Sequence, residues 1–290
     1  MLDFTSGQRR ILSLATAALS VVLGLSALAQ AQSAAETTTT PTEQKELIAA
    51  AVRTLILSQG VPAEAFDRLL KFRAENLGKS SLQDVYTCIG KTESTVRPCE
   101  EEKRQRASRE IKIADHPYVV IIDFRESSMV ERMFIIHLPT GKVNRMQATH
   151  GKNSGNLYAY KFSNIKDSKQ TSLGIYMIGE PYNGGYGSTL RMYGLQGSNN
   201  QAYNRDIVMH GAHYASKEFP QSENHQTKKP FGRLGVSWGC PAIALSNAKK
   251  WFPILKEGAL VYHYQPELEE AAQSGREVSG IDHELTLPAE

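Results

Sequence analysis

Near Tyr118 the chain changes its apolar period, and that change limits the possible folds more than any other feature. Upstream, Ile48, Val52, Leu55 and Ile56 recur at helical spacing, and Gly60 stops the run. Pro62 opens a second helical stretch with Phe66, Leu69 and Leu70 on one face. Downstream, short apolar runs alternate with Gly- and Asn-rich turns. Stretches 118–124, 132–138 and 143–149 read as strands, and Pro139-Thr140-Gly141 joins the last two as a hairpin. Further strands are expected at 172–178, 189–193, 206–210 and 259–264. One helix should run from Ser246 as N-cap to Leu255, bent or shortened by Pro253. The expectation is a mainly β domain over 116–266 with few helices. A small helical segment and a cysteine-bracketed loop (46–115) precede it, and an acidic, loose tail (267–290) follows.

The N-terminus reads as an export signal over 1–31. Arg9 and Arg10 precede an apolar run, 11–28, which ends in Ala27-Leu28-Ala29 and Ala29-Gln30-Ala31, both small-x-small cleavage patterns. Ser13, Thr16, Ser20 and Ser26 dilute the run, which is near the lower limit for a membrane span, so no stable anchor is expected after cleavage. Stretch 32–45, rich in Ala, Thr and Glu, reads as a flexible linker. The mature protein is then expected in the periplasm or cell envelope, an oxidising setting. Lys and Arg number 33 against 30 Asp and Glu, a balance that leaves no electrostatic footprint for nucleic acid. None of this implies an oligomeric state.

In such a setting the three cysteines matter because their number is odd. Cys88 and Cys99 are close together in a polar loop and are the natural disulfide. That leaves Cys240, in Ser237-Trp238-Gly239-Cys240-Pro241. Gly239 lets the backbone approach a ligand, and Pro241 disfavours helical geometry at Cys240, which puts the thiol on a turn. A cysteine nucleophile needs a base or a cationic partner. His210-Gly211 ends an apolar strand; His150, His213 and His225 are the other candidates, and the residues alone do not choose among them.

His210-Gly211, followed downstream by Ser237-x-Gly239-Cys240, resembles the signature of the L,D-transpeptidase catalytic domain of YkuD type. The similarity is to a divergent subgroup whose second block reads Ser-Trp-Gly-Cys-Pro. His150-Gly151 with Ser154-Gly155, Phe162-Ser163-Asn164, Ser172-Leu173-Gly174 and Gly232-Arg233-Leu234-Gly235 resemble that subgroup too. The resemblance spans about half the chain, from Tyr118 to Tyr264, and implies a YkuD-like β-sandwich. It also implies Cys240 as nucleophile, His210 as its base, and the Gly211 carbonyl as the group that orients the imidazole. The N–H groups of Gly239 and Cys240 become candidate oxyanion donors; Pro241 has none to offer.

Three departures stand out. A loop is inserted around 218–229, Trp238 replaces the motif histidine, and Ala242 stands where many members carry Arg or Asn. The lost histidine's role would pass to His150 or His213. Substrate-carboxylate binding would pass to Arg233 or Arg191, with Ser237 and Trp238 also in the substrate site.

The implied substrate is the peptidoglycan stem peptide. The nucleophile would form an acyl-enzyme at the third stem residue, release D-alanine, and pass the acyl group to an amine to make a 3–3 crosslink. Transfer to water would instead make an L,D-carboxypeptidase, and a chain keeping only the fold would be a non-catalytic wall-binding protein. His210-x-x-His213 would suit a zinc peptidase, but no HExxH accompanies it, and no metal or cofactor is expected.

Overall fold

The computed structural model describes residues 40–90, 97–185 and 187–283. The expected signal peptide lies outside these residues. The chain forms two compact units, Met1–Ala51 and Val52–Glu290. The described part of the first is the start of helix α1 (Pro41–Ser58), so helix begins inside the stretch that reads as linker. Proline suits a first helical position, where its missing N–H costs nothing. Every other described element belongs to the second unit.

Helix α1 ends before Gly60, whose φ of +87° favours glycine. Helix α2 (Ala63–Asn76) starts after Pro62 and buries Ala65, Phe66 and Leu69. Next comes a pair of strands that the sequence reading missed. β1 (Ser80–Cys88) and β2 (Arg104–Lys112) pair antiparallel, from Ser80 opposite Lys112 to Cys88 opposite Arg104. The charges of β2 suggest a solvated loop, but strands need only one apolar face, and Val85, Tyr86 and Ile111 supply it. Cys88 and Cys99 form a disulfide with Cα atoms 6.1 Å apart.

Eight strands make the main sheet. β3 (Tyr118–Asp123), β4 (Met133–His137) and β5 (Lys142–Met146) form an antiparallel meander. β11 (Leu260–Tyr264) runs parallel to β3 on its other side and antiparallel to β7 (Gly174–Gly184). β8 (Gly187–Gly194), β9 (Val208–Gly211) and β10 (Ala242–Ile243) complete the order β10-β9-β8-β7-β11-β3-β4-β5. β6 (Lys161–Phe162) pairs apart from it with β12 (Val278–Ser279).

Alternate residues of the central strands feed two cores. Val120, Ile122, Ile135, Ile178 and Val261 pack with Trp251, Phe252 and Leu255 of helix α3 (Leu245–Leu255). Val119, Ile121, Phe134, Ile136 and Tyr262 pack with Phe66 and Leu69 of α2 and with Val85 and Ile111 of the hairpin. Each such side chain contributes roughly 1.5–3 kcal/mol by leaving water. Burial on both faces explains why these strands read as continuous apolar runs.

Two further expectations are corrected. Ala244, not Ser246, occupies the N-cap of α3, and no side chain caps it; the helix passes through Pro253 to Leu255. The described part of the stretch after Pro266, up to 283, carries two elements where a loose tail was expected. Helix α4 (Pro266–Ala272) begins with proline, carries Glu267 and Glu269 in its first turn, and packs Leu268 and Ala272 on the core; β12 follows. Among the described residues no helix is long and apolar enough to cross a membrane.

Candidate active site

His210 and Cys240 come together through the end strands of the sheet. β9 and β10 pair in parallel, with His210 opposite Ala242 and Gly211 opposite Ile243. The His210 N–H points to the Pro241 carbonyl at 3.4 Å, and the Ala212 N–H donates to Ile243 at 2.8 Å. Glycine is needed at 211: a Cβ there would sit 2.8 Å from the Ala248 Cβ of α3. His210 and Cys240 line one cavity of about 520 Å³, together with Tyr182, Asp206, Tyr214 and Trp238.

The imidazole of His210 is oriented by its own strand. Its Nδ1 lies 3.2 Å from the Gly211 carbonyl. A carbonyl only accepts, so this contact needs Nδ1–H, and in the neutral ring that makes Nε2 the acceptor nitrogen. Burial pulls the imidazole below its ordinary pKa, against the pull of the Gly211 carbonyl. Cys240 is half-buried as a residue, with Sγ 3.6 Å from the Asp206 carbonyl. Burial pushes its thiol up to about 11, opposed by the Val208 N–H and the Arg205 guanidinium. Desolvation favours the neutral form of both groups. The resting pair is therefore thiol and neutral imidazole.

Ser237 shapes the turn that carries the thiol. Its Oγ donates to the Cys240 carbonyl at 2.6 Å and accepts the Gly239 N–H at 3.1 Å. This narrows one expectation: the Gly239 N–H is engaged inside the turn by the Ser237 hydroxyl, so of the two candidate donors it is not open to a ligand. Gly239 has φ +124°, and a Cβ there would lie 2.7 Å from the Gln170 carbonyl, so only glycine fits.

Other expected site residues fall elsewhere. Arg191 is fully buried and pairs with Asp206 at 3.0 Å and with the Tyr86 hydroxyl at 3.1 Å, so it cannot reach a substrate carboxylate. His150 is also buried. Arg132 donates to its Nδ1 at 2.8 Å, which fixes Nε2–H toward the Gly155 carbonyl at 3.1 Å. Burial, then the Arg132 charge, holds its pKa down to about 3. It supports the site from behind, since its carbonyl accepts the Ser237 N–H at 3.0 Å, and does not replace the histidine lost at Trp238. Arg233 lies outside the cavity lining and donates to the Leu234 carbonyl. Trp238 is 73 % exposed on the cavity wall, with the Lys169 ammonium 4.8 Å from its ring centroid.

The sequence reading missed a charged frame beneath the thiol. Asp206, with the unusual φ of +54°, is clamped by Arg104 at 2.6 Å, by Arg191, and by the Tyr86 hydroxyl. Arg205 donates to the Ser163 carbonyl at 2.8 Å and the Gln170 carbonyl at 2.7 Å, and its charge favours the thiolate. Arg104 lies about a hundred positions from Asp206, so no local spacing could have linked them.

A family model for the L,D-transpeptidase catalytic domain matches residues 93–264, more than half of the chain. The chain belongs to the L,D-transpeptidase catalytic domain family. Solved structures that align with it include an L,D-transpeptidase from Mycobacterium smegmatis, at 11% identity over 55% of this chain and 63% of that one, with a TM-score of 0.33. L,D-transpeptidase 1 of Mycobacterium tuberculosis aligns at 13% identity over 56% of this chain and 68% of that one, with a TM-score of 0.29. The alignment thus spans less than two thirds of the M. smegmatis chain. No curated protein matches.

Proposed function

We propose that this protein is an exported peptidoglycan L,D-transpeptidase with Cys240 as nucleophile and His210 as general base. The observation that carries the reading is the β9–β10 pairing, which brings both residues into one cavity while the Gly211 carbonyl takes Nδ1–H and so makes Nε2 the basic nitrogen.

In the first half-reaction His210 Nε2 takes the thiol proton as Sγ bonds to the carbonyl carbon of the third stem residue. The tetrahedral oxyanion meets the Cys240 N–H. Loss of one such donor typically costs ~100-fold or more in rate. The C–N bond to D-alanine then breaks, and the imidazolium returns the proton to the leaving amine, giving a thioester. In the second half an acceptor amine attacks the thioester carbon and gives a proton to His210. The thiolate leaves and is reprotonated. An amine from a neighbouring stem yields the 3–3 crosslink.

The test is the mass of products made from disaccharide-tetrapeptides by the protein and by Cys240→Ala. Crosslinked dimers lacking one D-alanine, absent with the variant, are the expected result. Tripeptide alone would mean hydrolysis, the L,D-carboxypeptidase outcome. Intact substrate in both samples would sink the enzymatic reading.

A further inference from the structure

A second cleft of about 420 Å³ lies beside the Cys240 turn. The cleft is lined by Lys152, Asn153, Asn156, Tyr160, Lys161 and Gln170. Lys152 donates its N–H to the Ser237 carbonyl at 2.7 Å, and the Gln170 carbonyl fills the space a Cβ on Gly239 would need. Residues 237–239 thus adjoin the cleft through Lys152 and Gln170, and Trp238, on the wall of the catalytic cavity, is their central residue. The Lys169 ammonium steadies the indole, and the Asn153 N–H holds the Lys169 carbonyl at 3.1 Å. The indole is thus positioned, and yet it is 73 % exposed at the mouth of a catalytic cavity.

The lining chemistry selects a ligand class. The set is three side-chain amides, a phenol and two ammonium groups. Asn153 Nδ2 already donates to the Ser168 carbonyl and Gln170 Nε2 to the Glu277 carboxylate, so the Gln170 Oε1, buried with no partner, the phenol and the ammonium groups are what meets a ligand. Such groups suit the hydroxyls and acetamido groups of a sugar, and an exposed indole suits its C–H face. Spacing agrees. With the third stem residue at Cys240, the three residues back to the sugar span about 10 Å when extended. A span of that length is enough to reach past Trp238, two residues from the thiol.

We propose that Trp238 and this cleft form a subsite for the N-acetylated sugar rings of the glycan strand, so that the protein takes stems still attached to their glycan. The proposal rests on the stem-peptide reading of the cavity.

Intrinsic fluorescence tests it without turnover. The chain has two tryptophans; Trp251 is buried under the sheet, so the water-exposed emission belongs to Trp238. Cys240→Ala full-chain protein is titrated with the N-acetylglucosamine–N-acetylmuramic acid disaccharide and, separately, with sugar-free tetrapeptide. A saturable blue shift with the disaccharide is expected. In a Trp238→Ala background, calorimetry should show the disaccharide binding about tenfold more weakly, the size of one lost aromatic contact. Trp238→Phe, which keeps a ring, should recover most of that loss. No saturable response to the disaccharide, or undiminished binding in Trp238→Ala, overturns the subsite. A response to the tetrapeptide alone also overturns it, giving the cleft to stem carboxylates on Lys152 and Lys161. Sugar binding by a protein that makes no product would instead overturn the transpeptidase reading and leave the subsite standing.

Discussion

At Ser237 one hydroxyl sets the backbone on which the proposed chemistry depends, by bridging the Gly239 N–H and the Cys240 carbonyl. Ser237→Ala is expected to lower kcat by roughly 10–100-fold through loss of this preorganisation, while stability falls by only about 1 kcal/mol. Steady-state kinetics beside urea unfolding would check the split; equal losses of rate and fold would refute it. The neutral resting pair makes a second forecast. The active form needs His210 deprotonated and Cys240 protonated. Because burial lowers the first pKa and raises the second to about 11, kcat/KM should gain its acid limb below pH 6.5 and stay level through neutrality. Thiolate absorbance at neutral pH that disappears in Cys240→Ala would contradict this. That His210 and Cys240 belong to one site was legible because each lies in a short local block with its glycine. Arg205, Asp206 and Arg104 were not, because they meet only when distant segments fold together.

The β1–β2 hairpin shows the same limit at the scale of an element. Strands buried on both faces announce themselves as apolar runs, and the central strands of the sheet were readable for that reason. β2 is mostly polar, and its single apolar face is sparse, so its charges dominate the pattern. Yet this hairpin brings Glu101 and Arg104 to the cavity wall. Glu101 also pairs with Lys166, another wall residue. The Cys88–Cys99 bridge closes a short loop, 11 positions long, at the hairpin end that bears them. Replacing both cysteines with alanine is expected to cost about 2–3 kcal/mol. It should also raise KM more than it lowers kcat, since the wall loosens and the Cys240 turn does not. Thermal melts and kinetics on the double variant would decide, and an unchanged KM would count against a wall role for the hairpin.

For the molecule as a whole, two buried histidines set the acid limit of stability. His150 and His263 are held down to about 3 and about 4, in both cases first by burial. The folded protein keeps them neutral, whereas the unfolded chain takes up protons below about 6.5. Between pH 6.5 and 4 the unfolded state therefore binds more protons, and stability falls as pH falls, on the order of several kcal/mol in total. His263→Asn should flatten that slope by about one proton, read from urea unfolding at a series of pH values; an unaltered slope would exclude the residue. The Cys240 thiol, desolvated against the Asp206 carbonyl, carries a consequence of another kind. It is the thiolate that attacks peroxides and disulfide reagents, and with the thiol pushed up to about 11 almost none is present here at neutral pH. The proposed nucleophile is thus kept dormant at rest, and the protein should outlast oxidants that would quickly consume an open, ionised cysteine.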